Sequence, residues 1–213
     1  IRFAVAPQTA QTRAEHDIDV PFDGKVKIWA WEAGTGNAVI NGDVYDAANK
    51  TFASGKSYYY PADGDNVDFV AVPVETISKT NGNGDEESYF TAPVRTAGGE
   101  TTMAFTTPSG IANHMTDAMT TEVVTQNSGT VAMILRHLMA KLNFRVQQTA
   151  RFNDATRCLV TLNDLQIRKA HINGNVTLDQ DWTAVNGGTD CMWETTNGDG
   201  TWDVVTADFP LCA

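Results

Sequence analysis

Four histidines, three cysteines and two carboxylate-rich loops are the groups in this 213-residue chain with the means to hold a metal, attack a carbonyl or move a proton. Their spacing serves none of these purposes well. His16, His114, His137 and His171 fall in unrelated contexts, with no pair at the i, i+4 spacing that sets two imidazoles on one helix face and no cysteine beside them. A solitary histidine such as His137 is more simply read as one satisfied by nearby backbone. Cys158, Cys191 and Cys212 are too few and too far apart for a disulfide framework or a zinc site; one bridge with a thiol left over and three buried thiols fit the spacing equally well. No Gly-rich phosphate loop precedes a helical pattern, and no G-x-S-x-G elbow presents a serine. Asp63, Asp65 and Asp68, and separately Asn197, Asp199 and Asp203, have the oxygen-rich, Gly-punctuated look of calcium loops, but neither completes the pattern that ends in a bidentate Glu. Asp and Asn collect in turns because they tolerate unusual φ/ψ and bond their own backbone. The chain is therefore read as a non-enzyme with no metal and no cofactor.

Binding by surface chemistry is the other option. Trp29, Trp31, Tyr58, Tyr59, Tyr60, Trp182, Trp193 and Trp202 could stack on the apolar faces of sugars, or they could be core and packing residues, which aromatic side chains more often are. The net charge of −11 and pI of about 4.6 oppose nucleic acid and anionic membrane as partners, because the fifteen basic residues are scattered. The densest basic run, Arg136 to Arg145, interrupts apolar sequence and reads as solvated strand and helix faces. No apolar run approaches the length of a spanning helix. The chain opens on IRFAVA without Met, a basic leader or an apolar leader, as expected of a mature, exported form.

The elements that must carry these side chains are strands. Ser128–Gln148, SGTVAMILRHLMAKLNFRVQQ, holds the densest apolar sequence and changes period twice. Val131, Met133 and Leu135 alternate; Leu135, Leu138, Met139 and Leu142 fall at helical spacing; Phe144 and Val146 alternate again. This predicts strand, a short helix near 135–142, and strand, with all the apolar residues facing one core. Ile1, Phe3 and Val5 alternate as a half-buried strand, followed by a polar tether. Val26, Ile28 and Ala30 share one strand face, and Trp29 and Trp31 the other, under a covering element or partly exposed. Asn41–Gly42 predicts a two-residue hairpin, as does Asn173–Gly174, since such turns need positive φ. Phe52 to Tyr60 reads as a strand, and Val67–Val74 as a strand central in its sheet. Weaker strands are expected at Tyr89–Val94, Thr101–Thr106 and within Ile111–Thr125, and further strands over Cys158–Ile167 and His171–Leu178.

Short, evenly spaced strands predict an all-β protein of β-sandwich type, with a polar break at Arg151–Arg157. The expected division is an N-terminal sandwich over residues 1–150, in which 1–13 form a separate strand and tether, and a C-terminal one over 151–213. The second is short of strands, so it is expected to be either small or incomplete at its C-terminus.

Four stretches carry a resemblance to a known family. IRFAV is followed by QTRA; FDGKVKIWAW places a phenylalanine and a turn before an apolar strand; YYYPADGDNVDFVAVPV joins tyrosines, a proline and a glycine to a central strand; and LRHLMAKLNFRVQ runs a His-Leu-x-Ala-Lys-Leu segment into a strand. Together, over nearly all of residues 1 to 180, they resemble the fimbrillin family, the subunits of type V pili of Bacteroides-like bacteria. The resemblance implies two transthyretin-like β-sandwich domains in series and a structural subunit of a cell-surface fimbria (pilus). It implies export as a lipoprotein precursor, anchoring at the outer membrane, and other fimbrial subunits as partners. It further implies donor-strand exchange: cleavage after an arginine releases the N-terminal strand, and a neighbour's C-terminal strand fills the groove by β-augmentation. Arg13 is then the cleavage residue, Ile1, Phe3 and Val5 are the plugs of the leaving strand, and Val131, Leu135, Leu138, Leu142, Phe144 and Val146 frame the groove. A lone arginine in a polar tether is also simply a solvated one. A lipobox cysteine would be expected only ahead of a processed start, and the family's last strands would be expected beyond Ala213. The alternative is a tip adhesin of the same fold that binds a host glycan or protein.

Overall fold

VDFVAVP, the run from Val67 to Pro73, is buried at all seven positions. A strand of an antiparallel sheet normally alternates buried and exposed residues, so an uninterrupted buried run requires cover on both faces. The computed structural model supplies that cover. It describes residues 1–7, 24–77, 79–80, 86–87, 90–96, 99–106, 118–138, 161–162, 165–170, 173–178, 193–195, 200–205 and 209–210.

In chain order the strands are β1 (Arg2–Pro7), β2 (Lys25–Glu32), β3 (Ala38–Asp46), β4 (Thr51–Phe52), β5 (Val67–Pro73), β6 (Lys79–Thr80), β7 (Glu86–Glu87), β8 (Val94–Arg95) and β9 (Thr101–Thr106). They continue as β10 (Met119–Thr120), β11 (Val124–Gln126), β12 (Thr130–His137), β13 (Thr161–Leu162), β14 (Leu165–Ala170), β15 (Asn173–Thr177), β16 (Trp193–Thr195), β17 (Gly200–Val205) and β18 (Phe209–Pro210). A short helical turn, α1 (Val74–Ile77), follows β5. The expectation of an all-β chain holds for the described residues.

Five strands, in the order β11-β5-β2-β3-β4, make the central sheet. On one face lies the sheet β1-β12-β10, and on the other the sheet β16-β15-β9-β8. Alternation along β2 and β5 divides their side chains between two cores. Val26, Ile28, Ala30, Phe69 and Ala71 join Phe3, Val131, Met133 and Leu135 in the first. Trp29, Trp31, Val70 and Val72 join Phe90, Met103, Phe105, Val176 and Leu178 in the second. The covering element foreseen for the tryptophans is thus the sheet of β9 and β15. Because β15 pairs with β9 from Asn173↔Thr106 to Thr177↔Thr102, a ladder crosses position 150, where the domain division was expected.

The segment 118–126 ties the layers together. Met119 and Thr120 pair with β12, Thr121 donates its N–H to the Ala71 carbonyl at 3.0 Å, and Val123 donates to the Leu178 carbonyl at 3.0 Å before β11 joins β5. The Thr121 hydroxyl also accepts the Ala71 N–H at 3.0 Å, so a buried backbone donor is satisfied where the strand switches sheets.

Several local expectations are corrected. Asn41–Gly42 is no hairpin: it lies inside β3, where the register slips between Ile28↔Asp43 and Trp29↔Asn41, and Gly42 takes φ 67° as the extra residue of a bulge. A Cβ there would stand 3.0 Å from the Trp29 ring, so both the dihedral and the close approach demand glycine. Asn173–Gly174 opens β15 and is likewise paired with its neighbours. Of Phe52–Tyr60 only Phe52, the last residue of β4, is strand; residues 53–60 run irregularly, held by aromatic packing in place of a ladder. The helix near 135–142 does not start at Leu135, since Leu135–His137 continue β12 against β1 and β10; residues 139–142 lie outside the described residues. Helical spacing of leucines was overridden there by strand pairing on both edges. Nor do the apolar residues of this stretch share one core, because Leu138 packs in the second.

Candidate functional site

β1 occupies the edge of its sheet and runs parallel to β12, from Arg2↔Thr130 to Pro7↔Leu135. Among the described residues its other edge has no partner strand. One ladder therefore holds its backbone, the Ile1 ammonium donates to the Tyr58 carbonyl at its start, and its inward side chains add to the attachment. Phe3, Val5 and Pro7 stand opposite Val131, Met133 and Leu135, the buried face of β12. Phe3 is 4% exposed, whereas Ile1 and Val5 are half-buried and pack against the same core. The alternation read from the sequence is thus the inward face of β1.

Phe3 enters a box of rings that come from three other strands. Its centroid lies 5.3 Å from Tyr45 of β3, 5.9 Å from Phe52 of β4 and 5.7 Å from Phe69 of β5, at interplanar angles of 68°, 89° and 75°. Each is an edge-to-face contact, the arrangement that a ring quadrupole favours. The Tyr45 hydroxyl donates to the Phe3 carbonyl at 3.3 Å, adding a backbone anchor from outside the ladder. Behind the box, Tyr58 packs on Phe52 at 4.8 Å and Tyr60 on Phe69 at 6.2 Å. The Tyr58 hydroxyl donates to Asp43 at 2.9 Å and that of Tyr60 to the Gly129 carbonyl at 3.2 Å, next to the start of β12. Burial pushes the phenols of Tyr45, Tyr58 and Tyr60 above their ordinary value.

A second polar cluster lies on the far side of β5. Asp68 is buried and takes Arg95 of β8 at 2.5 Å and the Thr125 hydroxyl of β11 at 2.5 Å. Arg95 also donates to the Thr101 hydroxyl at 3.2 Å and lies 5.9 Å over the Trp31 ring. The paired charges and their hydrogen bonds pin the central sheet to the β8-β9 layer.

The sequence-predicted residues do not all gather in one place. Ile1, Phe3, Val5, Val131 and Leu135 meet at the β1–β12 seam. Leu138 sits in the second core, and Asp68 in the ion pair, away from Asp63 and Asp65, which are exposed around Gly64. Trp29 and Trp31, 5% and 7% exposed, are covered and offer no stacking platform; Tyr59, at 78%, is open to solvent. Trp193 and Trp202 pair with Val176 in β15 and Ile167 in β14. His137 ends β12 opposite Met119, and Asp203 lies in β17 opposite Gln166. Arg13, Leu142, Phe144, Val146, His16, His114, His171, Trp182, Asn197, Asp199 and all three cysteines lie outside the described residues. Among the described residues no cluster of three metal-ligating side chains forms, and no helix is long and apolar enough to cross a membrane.

The aromatic box itself escaped sequence reading. Tyr45 and Phe52 are a cross-strand pair closing the Asp46–Lys50 turn, where Lys50 takes φ 56° and Asp46 accepts the Asn49 N–H at 2.9 Å. Two aromatics flanking such a turn were the available signal. Comparison with known proteins adds one finding: a family model described as fimbrillin-like matches residues 12–207. No curated protein and no solved structure matches the chain.

Proposed function

From the chain's membership of the fimbrillin-like family, which is structural and whose members build cell-surface appendages with other fimbrial subunits, we propose that this protein is a structural fimbrial subunit that polymerises by strand exchange. β1 is the strand that leaves, cleavage after Arg13 frees it, and an extended segment of a neighbouring subunit takes its place along β12. The subunit is exported and held at the outer membrane before assembly. The observation that carries this reading is the contrast between how β1 is held and what it fills. Its backbone has one ladder at a sheet edge, yet Phe3 plugs the middle of the first core. Removing such a strand exposes the Val131, Met133 and Leu135 face and one free β edge, which is what another extended strand completes.

The register supplies the test. Ala4 and Ala132 are partners on the exposed face of the β1–β12 pair, and neighbouring strand positions lie within disulfide reach. In an Ala4→Cys/Ala132→Cys double variant, oxidation should hold β1 in place and stop fibre growth, and reductant should restore it. Fibres that form equally well with the bridge closed, as seen by electron microscopy and confirmed by mass spectrometry of the disulfide, would refute strand exchange at β1.

A further inference from the structure

Resting on that strand-exchange reading, we propose that the bed of β1 selects its occupant through one aromatic side chain, at the position Phe3 now holds, and is indifferent to the residues on either side of it. Along β1 the environment changes steeply. Arg2 and Ala4 are exposed, Ile1 and Val5 are half-buried, and Phe3 alone is enclosed. Its enclosure is chemically specific, since three rings from β3, β4 and β5 meet it edge-to-face. An aliphatic side chain would occupy part of that volume without the quadrupolar contacts, an alanine would leave a cavity, and a carboxylate would be buried without a partner. Tyr45 serves two functions in the box. Its ring reads the side chain, and its hydroxyl reads the main-chain carbonyl, which any residue offers. The fitting partner is therefore an extended segment with an aromatic residue at one position, apolar residues two places before and after it, and free choice between them.

The test uses the full chain with a site-specific protease site placed between residues 8 and 23, cut so that β1 stays bound without a covalent link. Fluorescent peptides of residues 1–7, with Phe, Leu, Ala or Asp at position 3, then compete for the bed. The native peptide should exchange in. The Leu peptide should bind about 10-fold and the Ala peptide about 100- to 3,000-fold more weakly, as core truncations imply, and the Asp peptide should not compete. A Phe69→Leu variant of the cut chain should narrow the Phe-to-Ala ratio. Tyr45→Phe should weaken all peptides by a common factor and leave that ratio unchanged. Equal binding of the Phe and Ala peptides overturns aromatic selection while strand exchange stands. Failure of even the native peptide to enter a folded, cut chain overturns strand exchange, and the selection rule with it.

Discussion

Replacing Phe3 by Ala tests whether β1 is a separable plug or an ordinary part of the core. Truncating a buried phenylalanine to alanine costs about 3–5 kcal/mol when the surroundings stay in place, and Phe3 has the enclosure for the full effect, with 4% exposure and three ring contacts between 5.3 and 5.9 Å. That is a large part of the roughly 5–15 kcal/mol that stabilises a typical domain. An edge strand has a second way to respond, however. If β1 lets go, the penalty stops at its docking free energy, and the central sheet, with β5 covered on both faces, survives. Hydrogen exchange read by mass spectrometry separates the two. In Phe3→Ala, protection across Thr130–His137 should fall by about two to three and a half orders of magnitude, following 3–5 kcal/mol at 1.4 kcal/mol per decade, while protection across Val67–Pro73 stays within a factor of a few. Phe69→Ala, in the strand that both cores share, should reduce both together. An equal loss at β12 and β5 in Phe3→Ala would refute the separable plug, and no loss at β12 would refute Phe3 as its anchor.

The buried pair gives a second expectation: Asp68→Ala should cost about 3–5 kcal/mol because it strands Arg95 in the interior, and adding Arg95→Met should recover more than half of it. Additive effects in a urea double-mutant cycle would contradict the pairing. Gly42→Ala should destabilise by about 1–3 kcal/mol through its φ of 67° and the 3.0 Å approach to Trp29, with a change in near-ultraviolet circular dichroism; an unchanged melting curve counts against the bulge geometry. Alkali should loosen the box. Burial raises the phenols of Tyr45, Tyr58 and Tyr60 above 10.0, so the fold binds their protons more tightly than the unfolded chain does. Their contribution is whole below about pH 10 and is lost as pH rises through the folded values. The urea midpoint should therefore drop as the pH is raised beyond about 10, in step with tyrosinate absorbance, and an unchanged midpoint would contradict it.

What the sequence determined by itself was periodic and local. Ile1, Phe3 and Val5, Val131, Met133 and Leu135, and Val26, Ile28 and Ala30 declare their faces by alternation alone, because successive side chains of a strand point to opposite sides whatever the strand packs against. The unbroken Val67–Pro73 run likewise marked a central strand. Tertiary structure decided everything that depends on which strand is neighbour to which. The Asn41–Gly42 pair satisfies a bulge as readily as a hairpin, since both place the glycine at positive φ, and the ladder to β2 chose the bulge, in which Asn41 stays extended. Leucine spacing from Leu135 onward fits a helix, but the free edges of β1 and β10 offered hydrogen bonds that kept the chain extended to His137. The aromatic box around Phe3 joins residues 42, 49 and 66 positions apart in the chain, and the Asp68–Arg95 pair spans 27. No spacing rule connects such distances. They meet because two sheets close over the two faces of a third, and which strands face one another across those layers is decided by the packing and encoded in no single strand.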